Sequence, residues 1–295
     1  MVIINYKGGQ LGNRMLLFAH FMANSLEYGY TLYNPEFNEY IPFFKGTVGN
    51  TLTEKRITVS RFGNRRLDRM FSLLIRGWTD ITWRFFVNTP GYRLYRIFRS
   101  HDRKHTIFNL NQPAFIQDAQ NKKAIVQGWQ FRDTQHIEKY HAQISAYFTP
   151  TGFYLNEVSK VLGKALTRGD FPVGVHIRRG DYARFEGGRY FFTDEVYAQK
   201  MKEVDTLCRR EGKKCIFILC SNDNVDTDQF GLTLPILFEK RHFITDMYIL
   251  AACKLILGPP STFSIWASYY GRAPLIQITD KNAPVSEIPD YISRC

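Results

Sequence analysis

A chain of 295 residues, 44% hydrophobic and 22% charged, has room for two domains or one large α/β unit, and its composition excludes a disordered or fibrous protein. Its 39 Lys and Arg against 27 Asp and Glu leave a net charge of +12, so an anionic partner is expected: nucleotide phosphates, nucleic acid or an acidic membrane surface. Five cysteines (Cys208, Cys215, Cys220, Cys253, Cys295) are an odd number without C-x-x-C spacing, which excludes a disulfide framework or zinc site and predicts reduced thiols.

The first run, MVIINYKGG, reads directly as a strand, without a basic n-region and apolar h-region. No apolar stretch approaches the roughly 18 residues of a spanning helix. Both features predict a cytoplasmic protein, one that can dock on the inner face of a membrane. After the strand come a glycine turn and an amphipathic helix, with Met15, Phe18, Ala19, Met22 and Leu26 at helical spacing. The turn, Gly8-Gly9-Gln10-Leu11-Gly12-Asn13-Arg14, lacks the G-x-G-x-x-G spacing of a dinucleotide site. It reads instead as a tight turn that brings Gly9, Asn13 and Arg14 to an interdomain cleft. TLYNPEFNEYIPFF predicts a further strand and a loop.

Residues 55–104 differ in composition, with 13 Lys and Arg against three Asp, a local charge of +10. Aromatic and aliphatic residues alternate with the arginines, among them Phe71, Leu74, Trp78, Trp83, Phe85, Phe86, Tyr92, Tyr95 and Phe98. One reading is a helical insertion (about 45–105) whose apolar face packs and whose charged face is solvated. Another is a surface that meets anionic lipid or a lipid-linked phosphate. A nucleic-acid reading finds no helix-turn-helix, zinc-finger or aromatic RNA-binding signature beside it.

AIVQGWQ predicts another strand, followed by a helix to about residue 146, and YFTPTG (147–152) marks the junction between domains 1–150 and 151–295. Beyond it, FPVGVHIRR, KKCIFILCSND, LPILFEK, KLILGPP and RAPLIQI predict strands. TDEVYAQKMKEVDTLCRREG (with Thr193 as N-cap), ITDMYILAAC and STFSIWASYYG predict helices between them. That alternation predicts an α/β fold with a parallel, Rossmann-like sheet.

Ligands of open α/β sheets bind beyond the carboxyl ends of the strands, and three such ends here are polar. The first is His176-Ile177-Arg178-Arg179-Gly180-Asp181. Alternation puts His176 and Arg178 on one face and Arg179 on the other. A guanidinium fork suits phosphate, Gly180 permits a sharp turn, and Asp181 can orient or neutralise one arginine. The second end is Gly258-Pro259-Pro260-Ser261-Thr262-Phe263, where Ser261 or Thr262 would cap a helix whose N-terminus offers an anion site. The third, Ser221-Asn222-Asp223, suits a ribose or base, or equally a turn. Arg179-Gly180-Asp181 spells an adhesion tripeptide, which carries no weight without export features. Asp226-Thr227-Asp228 has the D-x-D form of a metal site, but arginines already offer to neutralise a diphosphate, so no metal or other cofactor is expected.

HIRRGDY at 176–182 resembles the first motif of the α-1,2-fucosyltransferases (glycosyltransferase family 11-like) and their α-1,6 and protein-O relatives. The early GGQLGNRM is similar to the opening of the α-1,2 family, and ITDMYILAACKLILGPPSTFSIWASYYG to its final motif. The resemblance implies a GT-B-like arrangement of two facing Rossmann-like domains, the C-terminal one binding GDP-fucose and the cleft receiving a glycan acceptor, free or lipid-linked. It implies Arg178 as β-phosphate ligand and His176 as a donor contact. Ser261, Thr262 and Phe263 become the phosphate loop, and Asp246 the carboxylate that reads guanine. Inverting transfer without a bound metal is implied as well. The general base is then Glu186 in ARFEGG, as the α-1,6 relatives suggest, with Asp181 the alternative. SIWASYY departs from the doubled tryptophan of the family, and the basic central segment is foreign to it; both bear on acceptor and linkage. A different nucleotide sugar on the same fold, or a basic nucleic-acid-binding protein, is the competing reading.

Overall fold

Short apolar runs that alternate with helices pair into two five-stranded parallel sheets, each the centre of one compact unit: Met1–Thr151 and Gly152–Arg294. The computed structural model describes residues 1–52, 54–85, 95–100, 107–230 and 233–289. Phe86, Tyr92, Arg93, Arg103 and Lys104 of the basic segment, and Cys295, lie outside them.

The first unit runs β1 (Val2–Ile4), α1 (Leu11–Tyr28), β2 (Leu32–Tyr33), α2 (Lys45–Gly49), β3 (Ile57–Thr58), α3 (Arg65–Phe85), β4 (Tyr95–Arg99), β5 (Phe108–Asn109), α4 (Pro113–Asn121), β6 (Lys123–Gln127), β7 (Phe131–Arg132) and α5 (His141–Tyr147). Its main sheet has the order β3-β2-β1-β6-β4, with Val2 opposite both Leu32 and Ala124. Helix α1 buries Met15, Phe18, Ala19 and Met22, and ends where Gly29, at φ 72°, donates its N–H to the Ser25 carbonyl. The run after β2 is a 3-10 segment, Pro35–Phe43, rather than a loop. Phe37 and Phe44 anchor it, their rings 5.5 Å from Phe18 and Phe148 respectively.

Helix α3 corrects one of the readings of the basic segment, the one in which the apolar face packs. Its inward face carries Asp68, Ser72 and Thr79, all buried, beside Phe71 and Ile75, while Leu67, Met70, Leu73, Leu74, Trp78 and Ile81 are exposed. Polar groups turn inward because polar partners wait there. Asp68 accepts from Tyr33 Oη at 3.0 Å and from the Arg61 N–H at 2.8 Å, Ser72 donates to Glu36, and Thr79 accepts from Asn5 Nδ2 at 3.2 Å and Gln127 Nε2 at 2.9 Å. A buried polar group with its partner in place costs little, so this face can be the inner one.

The second unit runs α6 (Gly152–Leu166), β8 (Phe171–Ile177), α7 (Asp194–Arg210), β9 (Cys215–Ser221), β10 (Ile236–Leu237), α8 (Phe243–Ala252), β11 (Leu255–Gly258), α9 (Thr262–Gly271) and β12 (Leu275–Gln277). Its order, β10-β9-β8-β11-β12, is the 3-2-1-4-5 of a doubly wound sheet, so the direction of winding reverses between β8 and β11. All seven residues of β9 and six of seven in β8 are buried, as strands covered on both faces require. Val173, Val175 and Ile177 join Tyr197, Met201, Val204 and Cys208 of α7 in one core. The alternate positions face α8 and α9: a Cβ on Gly174 would stand 2.7 Å from Leu250 of α8. Thr193 holds the N-cap position of α7 without a side-chain cap hydrogen bond; Asp194 and Glu195 in the first turn and Arg209 and Arg210 in the last match the helix dipole instead. Cys208, Cys215, Cys220 and Cys253 are free and buried.

Candidate functional site

The winding reversal lies between the carboxyl ends of β8 and β11, where doubly wound sheets bind their ligands, and both strand ends carry polar residues. His176 faces α9, as strand alternation from Val175 dictates. Its Nδ1 lies 3.0 Å from Ser264 Oγ, and its ring centroid is 5.0 Å from that of Phe263. Burial, and secondarily the charge of Arg178, pushes its pKa down to about 3, so the imidazole is neutral at pH 7. Strand β11 passes so close that a Cβ on Gly258 would stand 2.8 Å from the His176 carbonyl oxygen.

Beyond His176 the two arginines part. Arg178 Nη2 forms an ion pair with Asp181 Oδ1 at 2.7 Å; the arginine side chain is 14% exposed and the aspartate 57%. Arg179 pairs with Asp194 at the start of α7, and its N–H donates to Asn222 Oδ1 at 3.1 Å. Gly180, at φ 64°, turns the chain between them, and a Cβ there would meet Asn222 Nδ2 at 3.2 Å.

Tyr182, the last residue of HIRRGDY, ties this loop to the next. Its hydroxyl donates to the Pro260 carbonyl at 2.7 Å, its ring centroid lies 5.2 Å from the Arg178 guanidinium, and Phe185 stacks on it at 5.1 Å. Burial raises the phenol pKa, with Asp181 and Glu186 adding to the rise while Ser261 and Arg178 oppose it. Side-chain chemistry along the chain marks no role for Tyr182, although it stands inside HIRRGDY, nor for Ser264 of STFS, the partner of His176.

Beyond the end of β11 Ser261 is the N-cap of α9, its Oγ accepting from the Phe263 N–H at 3.3 Å. Thr262 and Phe263 open the helix, so its dipole and first-turn N–H groups point at the same space. His176, Arg178, Asp181, Ser261, Thr262 and Phe263 are therefore drawn together around Tyr182.

The remaining candidates lie on other turns and helices. Ser221 Oγ accepts from the Asp223 N–H at 3.1 Å, and Asp223 Oδ1 from the Asn224 N–H at 2.9 Å, so both shape the turn after β9. Asp246, in the first turn of α8, is buried, and its Oδ1 accepts from Arg241 Nε at 2.9 Å while Arg241 Nη2 reaches the Leu219 carbonyl at 2.6 Å. Burial raises its pKa to about 6 against the pull of Arg241. Glu186 sits in an exposed loop with φ 46° and ψ 42°, followed by Gly187 and Gly188, also at positive φ, so the chain doubles back on itself there. Asp226 accepts from the Asp228 N–H at 3.1 Å, and among the described residues no group of three His, Cys, Asp or Glu is placed to hold a metal ion.

Gly9, Asn13 and Arg14 belong to the first unit. Gly9 has φ 70°, and Arg14 is buried. Arg14 Nη1 reaches Glu39 and the Glu36 carbonyl, and Nη2 the Gly9 carbonyl at 3.4 Å, so its charge is spent clasping the turn onto the 3-10 segment.

Residues 123–290, more than half of the chain, match the family model described as Glycosyl transferase family 11. Galactoside alpha-(1,2)-fucosyltransferase 1 of Homo sapiens is 28% identical over 158 residues, 49% of this chain and 42% of that protein, and the Rattus norvegicus enzyme of the same name is 28% identical over 134 residues, 43% and 35%. The chain thus matches less than half the length of these relatives. Among solved structures, the fucosyltransferase NodZ from Bradyrhizobium is similar at a TM-score of 0.60 and 16% identity, over 99% of both chains. A mutant of Arabidopsis thaliana FUT1 in complex with GDP gives 0.59 and 12%, over 93% of this chain and 69% of that one. POFUT1 in complex with GDP-fucose gives 0.54 and 14%, over 92% and 94%. These likenesses identify the fold as the GT-B-like one of fucosyltransferases. With the family model covering more than half of the chain, including the ends of β8 and β11, this chain belongs to glycosyl transferase family 11.

Proposed function

We propose that this protein is an inverting fucosyltransferase that moves L-fucose from GDP-fucose to a hydroxyl of a glycan acceptor, in α-1,2 linkage and without a metal ion. The acceptor belongs to a cell-surface or lipid-linked glycan built on the cytoplasmic side. The observation that carries the reading is the Arg178–Asp181 pair at the winding reversal, facing the N-terminus of α9. A nucleoside diphosphate can take the guanidinium from the exposed Asp181, exchanging one anion for another at little desolvation cost. The α9 N-terminus then receives the second phosphate.

In the transfer, the bond from the anomeric carbon to the diphosphate oxygen breaks and its electron pair leaves with GDP, where Arg178 and the α9 dipole stabilise the charge. The acceptor oxygen bonds to the opposite face of the anomeric carbon, and its proton passes to a carboxylate. Glu186 is the base; Asp181, once displaced from Arg178, is the alternative. Neutral His176 adds no positive charge of its own and buttresses Phe263 and Ser264 at the start of α9.

The test is thermal unfolding of the chain with GDP, UDP and no nucleotide, followed by transfer from GDP-fucose to galactosides in EDTA, with linkage analysis of the product. GDP is expected to raise the unfolding midpoint, with UDP weaker. Arg178→Ala is expected to weaken GDP about ten- to hundredfold, and Arg178→Lys to recover little of it, because an ammonium cannot reproduce the fork. Absence of a GDP-dependent shift would refute the donor assignment.

A further inference from the structure

Helix α3 presents its apolar side outward. Leu67, Met70, Leu74, Trp78 and Ile81 follow one another at helical spacing of three and four, with Leu73 beside them, and these six side chains are 44% to 64% exposed. A Cβ on Gly77, within the same stripe, would meet nothing within 4 Å. The opposite side is tied down by the buried hydrogen bonds of Asp68, Ser72 and Thr79, so the helix cannot roll to hide the stripe without leaving those groups unpaired. Arg66 and Arg69 are exposed along one flank, within a segment whose sequence carries +10.

We propose that this face of α3 is a docking surface for an anionic lipid bilayer, on which the helix lies in the plane of the headgroups. Three observations select that occupant. The stripe has the width of an interfacial helix and carries a tryptophan, whose ring suits the boundary between headgroups and acyl chains. The flanking charge is positive, opposite to that of an acidic membrane. A second copy of the chain fits poorly, since a two-fold contact through the same stripe would bring the Arg66 and Arg69 flanks of two strongly basic molecules together. No helix among the described residues is long and apolar enough to cross a membrane, so α3 rests on the surface rather than spanning.

The experiment is sedimentation of the full chain with vesicles of phosphatidylcholine alone and of phosphatidylcholine containing one third phosphatidylserine. Binding is expected to the anionic vesicles and to fall steeply with added salt. Arg66→Gln with Arg69→Gln is expected to weaken it about fivefold per charge removed. Leu74→Gln with Ile81→Gln is expected to weaken it at least about tenfold, since each buried aliphatic side chain carries about that factor. All of these side chains are exposed, so the unfolding midpoint and its response to GDP are expected to be unchanged in both variants; this keeps the membrane result separate from the donor assignment. Equal binding to both vesicle types, no binding to either, or full binding by the Leu74/Ile81 variant would overturn the proposal. So would a dimer in buffer that the Leu74/Ile81 variant dissolves, because a second copy would then cover the stripe.

Discussion

Arg178 and Arg179 are adjacent and chemically identical, yet the fold gives them different work. Arg179 is held by Asp194 and its backbone by Asn222, so it braces the turn onto α7 and the end of β9. Arg178 is in a salt bridge with a mostly exposed carboxylate, a partner that a diphosphate can outcompete. Asp181→Asn should therefore tighten GDP several-fold by removing the internal competitor, with kcat preserved if Glu186 is the base. Glu186→Gln should then lower kcat by about a hundredfold or more at little change in GDP affinity. Steady-state kinetics with GDP titration separate the two roles, and the reverse pattern would move the base to Asp181.

At the scale of elements, the site is a meeting of two loops that neither strand could build alone. The β8 loop turns on Gly180, and Tyr182 fastens it to Pro260 ahead of α9. Gly180→Ala imposes a left-handed backbone on an alanine, about 1 kcal/mol, and presses on Asn222, which holds the Arg179 N–H. Gly187 has a similar φ of 69° but open space around it, so Gly187→Ala carries the backbone cost alone. Both variants should lower the unfolding midpoint by a few degrees, and only Gly180→Ala should also weaken GDP binding, as calorimetry of the two would show. The pairing of short strands explains why this geometry was only partly legible. Residues 171–277 alternate strongly enough to reveal their strands and helices, whereas β2, β3 and β5 have two residues each, too few to display any period.

The whole molecule responds to acid through buried histidines, one in each unit among the described residues. His20 in α1 and His176 in β8 are both pushed down to about 3, chiefly by burial. Each takes up a proton near pH 6.5 when unfolded but not when folded, so its stabilisation is complete above pH 6.5 and is lost as pH falls toward 3. Asp246 acts with the opposite sign: its pKa of about 6 exceeds the unfolded 3.8, so its contribution declines as pH rises from about 4 to 6. The midpoint of thermal unfolding should fall between pH 6.5 and 5. His176→Asn should flatten that fall in the second unit, by at most about 1.4 kcal/mol per pH unit.

What the sequence determined by itself was local: the parallel α/β order of the second half, a helix cap at Ser261 or Thr262, the opposed faces of His176 and Arg179, and the positive charge at a strand end. These follow from periods of two and 3.6 residues and from the chemistry of single side chains, which neighbours along the chain suffice to express. Only the tertiary structure decided that His176 meets Ser264, 88 residues away, because strand order rather than sequence order makes β8 and β11 adjacent. It also decided that Arg14 pairs with Glu39, 25 residues away. For α3 the amphipathic pattern defined two faces but not their orientation. That choice rested on Glu36, Tyr33 and Asn5, distant residues that offer hydrogen bonds to Ser72, Asp68 and Thr79, and it left the apolar face in solvent.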